Sequence, residues 1–174
     1  TAVKVAETLQ ALADGGQELD MVVNISKVLS GDWDYVRRDI AAVIEPTHKA
    51  GQKVKVIFEN SMLDTAQKIK LCEICGQVGA DWVKTSTGYG FVKQPDGSYN
   101  YKGATEHDLA LMRASVSAKV QVKAAGGVRD LDGLMAMVAA GAMAFLQSGL
   151  VSELPRGLVA HDFGLKDLFR GRIP

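Results

Sequence analysis

Two lysines stand where apolar strands should end. Lys84 follows Trp82-Val83 and precedes Thr85-Ser86-Thr87-Gly88, and Lys123 follows Val120-Gln121-Val122. Strands of a parallel sheet are usually covered on both faces. An ammonium group there costs several kcal/mol unless it is paired or neutral. Two such lysines on successive strands can approach, and each then lowers the other's pKa. The more buried one, neutral near physiological pH, would attack a carbonyl carbon, which is the requirement for Schiff-base chemistry. The same spacing also fits two lysines that reach the rim and bind an anion. Asp20, in Glu18-Leu19-Asp20-Met21-Val22-Val23, is an acid inside an apolar run. It needs a cation or a hydrogen-bond network, and Lys84 and Lys123 are the expected cations.

Gly126-Gly127-Val128-Arg129 follows Lys123 and precedes a helical pattern. Two glycines let backbone N–H groups approach a ligand, and a helix N-terminus favours an anion. Phosphate binding is one reading, and an ordinary strand-to-helix turn is the other. Cys72 and Cys75 form a C-x-x-C pair, the only cysteines. Leu71, Ile74, Cys75 and Val78 fall at helical spacing, so the pair reads as part of a buried stripe. No second Cys/His pair completes a metal site, and no metal is expected. His48, His107 and His161 carry no motif.

The elements that must hold these residues alternate. Val5, Leu9 and Leu12 make a helical stripe ending at Gly15-Gly16. Residues 19–25 read as a strand. A helix from about Asp34 carries Val36, Ile40 and Val43, and Pro46 should end or kink it. Val54-Lys55-Val56-Ile57-Phe58 is a strand, and Asp64 caps the next helix, which ends near Gly79. Residues 82–86 are strand-like. A long loop follows to about residue 104, with a turn signal at Pro95-Asp96-Gly97-Ser98. Thr105, with Asp108 three residues on, resembles a capping box. Residues 120–123 read as a strand. Leu131, Leu134, Met135 and Val138 form a helix behind the cap candidate Asp130, and residues 142–146 a last strand. Such alternation means a parallel α/β sheet, either doubly wound or part of a barrel. Both architectures put functional residues at the carboxyl ends of strands. That rule selects Asn24, Glu59, residues 84–88, residues 123–127 and Ser148.

The chain has 174 residues, 47% hydrophobic and 23% charged, which fits one globular domain. A complete eight-fold barrel needs roughly 200 residues or more. Twenty basic residues balance twenty acidic ones, which argues against nucleic-acid binding through a large basic face. No apolar run has the length of a membrane span. The chain starts at Thr1 without a signal-peptide pattern, so it reads as a trimmed or partial chain. Without a disulfide framework, a reducing cytoplasm is expected.

Glu18-Leu19-Asp20-Met21-Val22-Val23-Asn24, Val83-Lys84-Thr85-Ser86-Thr87-Gly88 and Val122-Lys123-Ala124-Ala125-Gly126-Gly127-Val128-Arg129 together resemble the deoxyribose-phosphate aldolases. These are class I aldolases (lyases) with a TIM (β/α)8-barrel fold. The resemblance covers about residues 3–141, and residues 54–59 fit the strand between the first two segments. It implies that Lys84 forms the imine with the substrate carbonyl. Lys123 would be the second lysine, lowering the pKa of the first and aiding proton relay, and Asp20 the acid that assists proton transfer through a water. Gly88, Gly126, Gly127, Val128 and Arg129 would hold the phosphate, with Ser148 on the last strand. The implied reaction is reversible cleavage of 2-deoxy-D-ribose 5-phosphate, a sugar phosphate, to glyceraldehyde 3-phosphate and acetaldehyde, without cofactor. It belongs to deoxyribonucleotide and carbohydrate catabolism in the cytoplasm.

Several positions depart from the family pattern. The chain would hold about five parallel strands of eight, in residues 1–149. Residues 150–174 form a segment of uncertain structure, without the late tyrosine that some members of the family carry. Leu146 stands where the family's last strand has a glycine. Residues 89–103 look like an insertion near the active-site mouth. An open sheet edge is expected, which a helical C-terminal segment or a homodimer would cover. The rival reading is a non-catalytic, aldolase-like phosphate-binding or interaction module.

Overall fold

A computed structural model describes residues 1–93, 95–97, 99–101, 103–126, 131–142 and 144–146. The elements in order are α1 (Ala2–Ala13), β1 (Glu18–Val22), α2 (Ile25–Leu29), α3 (Trp33–Lys49), β2 (Lys53–Ile57), α4 (Thr65–Val78) and β3 (Trp82–Lys84). Then come β4 (Phe91–Lys93), β5 (Tyr99–Tyr101), α5 (Glu106–Ser115), β6 (Gln121–Ala125), α6 (Leu131–Ala139) and β7 (Ala144–Leu146). A single 3-10 turn, Asn60–Met62, follows β2.

Five strands form one parallel sheet in the order β1-β2-β3-β6-β7. That order never reverses, whereas a doubly wound sheet must reverse at its switch point. The sheet is therefore a stretch of barrel wall. Its two faces differ, because side chains alternate along each strand. One face carries Met21, Val54, Val56, Val83, Val122 and Ala124, which join the buried core with Ile40, Leu71, Ile74, Leu109 and Met112 of the helices. Fully burying one such side chain stabilises by about 1.5–3 kcal/mol. The opposite face carries Glu18 and Asp20 of β1, Lys53, Lys55 and Ile57 of β2, Trp82 and Lys84 of β3, and Gln121 and Lys123 of β6. The register lines these up in rows.

Local chemistry sets the boundaries of α4. Asp64 and Gln67 exchange side-chain and backbone hydrogen bonds in a capping box, and Gly79 closes the helix in the left-handed region at φ 78°. The cysteines are buried within α4, as its stripe implied. Elsewhere the structure differs from the sequence pattern. Pro46 does not end α3, which continues to Lys49. Its ring removes one backbone hydrogen bond, as proline does inside any helix, and the buried Thr47 beyond it ties its hydroxyl to the Val43 carbonyl at 2.8 Å. The first strand stops at Val22, because the Asn24 side chain accepts from the Lys27 N–H and starts α2. The long loop contains the antiparallel β4–β5 hairpin, with Pro95, Asp96 and Gly97 between its strands. Thr105 does cap α5, but the Asp108 carboxylate turns to Lys68, 2.8 Å away, so the box is not reciprocal. Leu9 stays exposed in α1, which packs on α3 and on the edge strand β1. The cap candidate Asp130 lies outside the described residues.

Candidate active site

The apolar strands place Lys84 and Lys123 directly opposite each other, as register partners on β3 and β6. Neighbouring strands run about 4.8 Å apart, so the two side chains leave adjacent points of one wall. Neither reaches the rim: Lys84 is 2% exposed and Lys123 1%. Lys84 extends past the intervening β2 to Asp20, and its Nζ lies 2.5 Å from Asp20 Oδ2. A carboxylate this close can take the proton that the amine must shed before it attacks a carbonyl.

Asp20 also serves a lysine that the sequence pattern had not singled out. Lys55 Nζ sits 3.2 Å from Asp20 Oδ1 and 2.6 Å from Glu18 Oε2, above the Trp82 ring. Trp82 in turn donates its indole N–H to Gln121 Oε1 at 2.8 Å. Three buried lysines thus share a wall with two carboxylates. That imbalance suits a negatively charged ligand. The signal for Lys55 was present: it interrupts Val54-Lys55-Val56-Ile57 as Lys84 interrupts its own strand.

The carboxyl ends of the strands are laced together. The Phe58 N–H donates to the Lys84 carbonyl and the Asn60 N–H to the Thr85 carbonyl, at 3.0 and 2.9 Å. Thr85 is fully buried, and its hydroxyl accepts from the Ala125 N–H at 3.0 Å. Gly126 follows with φ 76° and Gly88 has φ 96°. Both values belong to the left-handed region where a side chain is strained. The Gly126 carbonyl accepts from Ala104 N–H at 3.0 Å. The structure therefore brings Lys84, Lys123, Gly88 and Gly126 to the carboxyl end of one sheet, with Asp20 one row behind the lysines. Gly127, Val128, Arg129 and Ser148 lie outside the described residues.

Glu59, picked out only as a strand-end position, is another buried charge. It is 4% exposed, and its backbone is left-handed at φ 56° and ψ 62°. Among the described residues it is the non-glycine with positive φ, a conformation that costs about 1–3 kcal/mol. Its Oε2 accepts from the Thr87 N–H at 3.1 Å and from the Thr87 hydroxyl. Among the described residues no group of three His, Cys, Asp or Glu side chains is arranged to hold a metal ion. Nor is any helix there long and apolar enough to cross a membrane.

Known proteins share the sequence and the fold of this chain. The profile of the DeoC/LacD family aldolases matches residues 1–156. A deoxyribose-phosphate aldolase of Rhodopirellula baltica is 58% identical over 142 residues, covering 82% of this chain and 55% of that protein. One from Thermococcus gammatolerans is 49% identical over 142 residues, covering 82% and 59%. This chain thus spans little more than half the length of such relatives. Among solved structures, a deoxyribose phosphate aldolase from Aeropyrum pernix, described as a tetramer, superposes with a TM-score of 0.67 at 30% identity. That match covers 81% of this chain and 55% of the other. With a barrel-wall sheet, a lysine pair at its carboxyl end and a profile match over most of its length, the chain belongs to the DeoC/LacD family of aldolases.

Proposed function

We propose that this chain carries the Schiff-base site of a deoxyribose-phosphate aldolase, working on 2-deoxy-D-ribose 5-phosphate in cytoplasmic deoxyribonucleotide and carbohydrate catabolism. The observation that carries the reading is the Asp20–Lys84 contact of 2.5 Å beside Lys123. In this reading Asp20 takes a proton from Lys84, and the free amine adds to the substrate aldehyde carbon. Loss of water leaves a protonated imine. The C2–C3 bond then breaks, and its electrons move into the imine to give an enamine. The hydroxyl on C3 loses its proton and becomes the aldehyde of glyceraldehyde 3-phosphate. Protonation of the enamine carbon, aided by Lys123 and by Asp20 through a water, and hydrolysis then release acetaldehyde. Gly88, Gly126, Gly127, Val128, Arg129 and Ser148 hold the phosphate. Neither metal nor cofactor takes part. Residues 1–149 form the partial aldolase barrel and residues 150–174 a C-terminal segment, and the chain works as a homodimer.

Borohydride trapping with acetaldehyde, followed by peptide mass mapping, tests this. It is run on this chain and on the chain joined to the remaining portion of the Rhodopirellula baltica relative. A reduced adduct on Lys84, abolished by Lys84→Arg, is expected. No adduct in either protein overturns the enzyme reading and leaves an aldolase-like binding module.

A further inference from the structure

Glu59 is an expensive residue at a place where a cheaper one would serve a plain turn. Its carboxylate is buried, its backbone is left-handed, and its Oε1 has no hydrogen-bond partner among the described residues. Glycine would relieve the backbone, and asparagine tolerates it better than glutamate. Neither could reach Thr87. What the long side chain does there is specific. Oε2 accepts both the backbone N–H and the hydroxyl of Thr87. That hydroxyl oxygen also accepts the Tyr89 N–H at 3.1 Å. The carboxylate, the hydroxyl and the next-but-one amide therefore form a relay that brackets Gly88, whose own φ is 96°. Space is fitted to the same group. A Cβ added at Gly90 would lie 2.8 Å from Glu59 Cδ, closer than real Cβ contacts come.

We propose that Glu59 is the positioning residue of the Gly88 phosphate loop: its carboxylate and the Thr87 hydroxyl engage the Thr87 and Tyr89 N–H groups and lock the turn in the form that presents the Gly88 N–H between them to a phosphate. Gly90 is the companion that keeps room for the carboxylate. This rests on the phosphate assignment of Gly88 made above. Glu59 touches neither the reacting carbon nor Lys84 in this scheme, so it acts on binding of the phosphorylated end alone.

The test uses the 174-residue chain, isotope-labelled, titrated with inorganic phosphate and followed at the Gly88 amide by NMR. Hydrogen exchange at Thr87 reads the anchoring separately, and exchange at Val56 and Val83 reports whether the sheet remains folded. Glu59→Ala is expected to weaken phosphate about tenfold and to lose Thr87 protection, with Glu59→Gln retaining part of both. Gly90→Ala, which changes no charge, is expected to act in the same direction as Glu59→Ala. It keeps the question decidable if the alanine variant does not fold. A Gly88 response that Glu59→Ala and Gly90→Ala leave unchanged overturns the role of Glu59. Unchanged Thr87 protection in both does the same. No response of Gly88 in the unsubstituted chain instead overturns the phosphate reading, and the loop's assignment with it.

Discussion

The carboxylate of Asp20 lies 2.5 Å from the amine of Lys84, although a whole strand separates β1 from β3. Lys84 and Lys123 occupy the same row of the sheet, and Asp20 lies one row toward the amino ends of the strands. A proton acceptor in that place does not obstruct the side from which a carbonyl would enter at the carboxyl ends.

Asp20→Asn should therefore keep the fold and slow imine formation. General-base assistance of this kind contributes about 10²-fold or more. The check is the rate of borohydride-trapped adduct on Lys84, with circular dichroism showing that the sheet persists. An unchanged rate would remove Asp20 from the proton path.

Lys55→Met should loosen the wall beneath the site. It leaves Glu18 and Asp20 facing each other without the ammonium that both now use. The two acids are about a third exposed, 37% and 33%, so water softens the repulsion. A loss of about 1–3 kcal/mol in urea unfolding is expected. Trapping at Lys84 should fall by less than in Asp20→Asn, because Asp20 remains.

Acid should undo the join between α1 and α3. Burial pushes the Asp39 carboxyl up, but hydrogen bonds from Lys4 at 2.5 Å and from the Thr1 hydroxyl outweigh that and hold it below its ordinary 3.8. A depressed carboxyl adds stability that is complete above its unfolded value and is lost as pH falls through the folded one. The contribution should be present near neutrality and vanish progressively below about pH 4. Urea midpoints at neutral pH and near pH 3 should differ less in Asp39→Asn than in the unsubstituted chain.

The two cysteines should be inert in the folded chain. Burial pushes the Cys72 thiol up to about 12 and Cys75 well above its ordinary value. Only the thiolate reacts. Iodoacetamide at mildly alkaline pH should label both slowly until guanidinium unfolds the chain, when labelling becomes complete. Rapid labelling of the folded protein would overturn this inertness.

The parts that could be read from residue order were those governed by neighbours along the chain. Asp64 and Gly79 bound α4 because capping and left-handed closure are local events. Lys84 betrayed itself by breaking an apolar run. Lys55 breaks one equally, but its partners Glu18 and Asp20 come from another strand, and no spacing along the chain reveals that meeting. Pro46 does not end α3 because the turn beyond it carries the buried Thr47, and burial of that kind is not visible in local spacing. The β4–β5 hairpin was signalled by its turn and by the flanking Phe91, Tyr99 and Tyr101, yet strands of three residues are too short to show an alternation. Glu59 looked like any strand-end acid, since its left-handed backbone cannot be inferred from composition.

The two-faced sheet has a further consequence for how the molecule can be altered. Along β1 and β3 the even-numbered residues share the ionic wall, and along β2 and β6 the odd-numbered ones do. Their immediate neighbours point into the helical core. Reactivity and robustness are therefore written on interleaved residues of the same strands. A variant library sorted by this parity should divide into one half that changes turnover, with Lys55 variants changing melting as well, and another that changes melting.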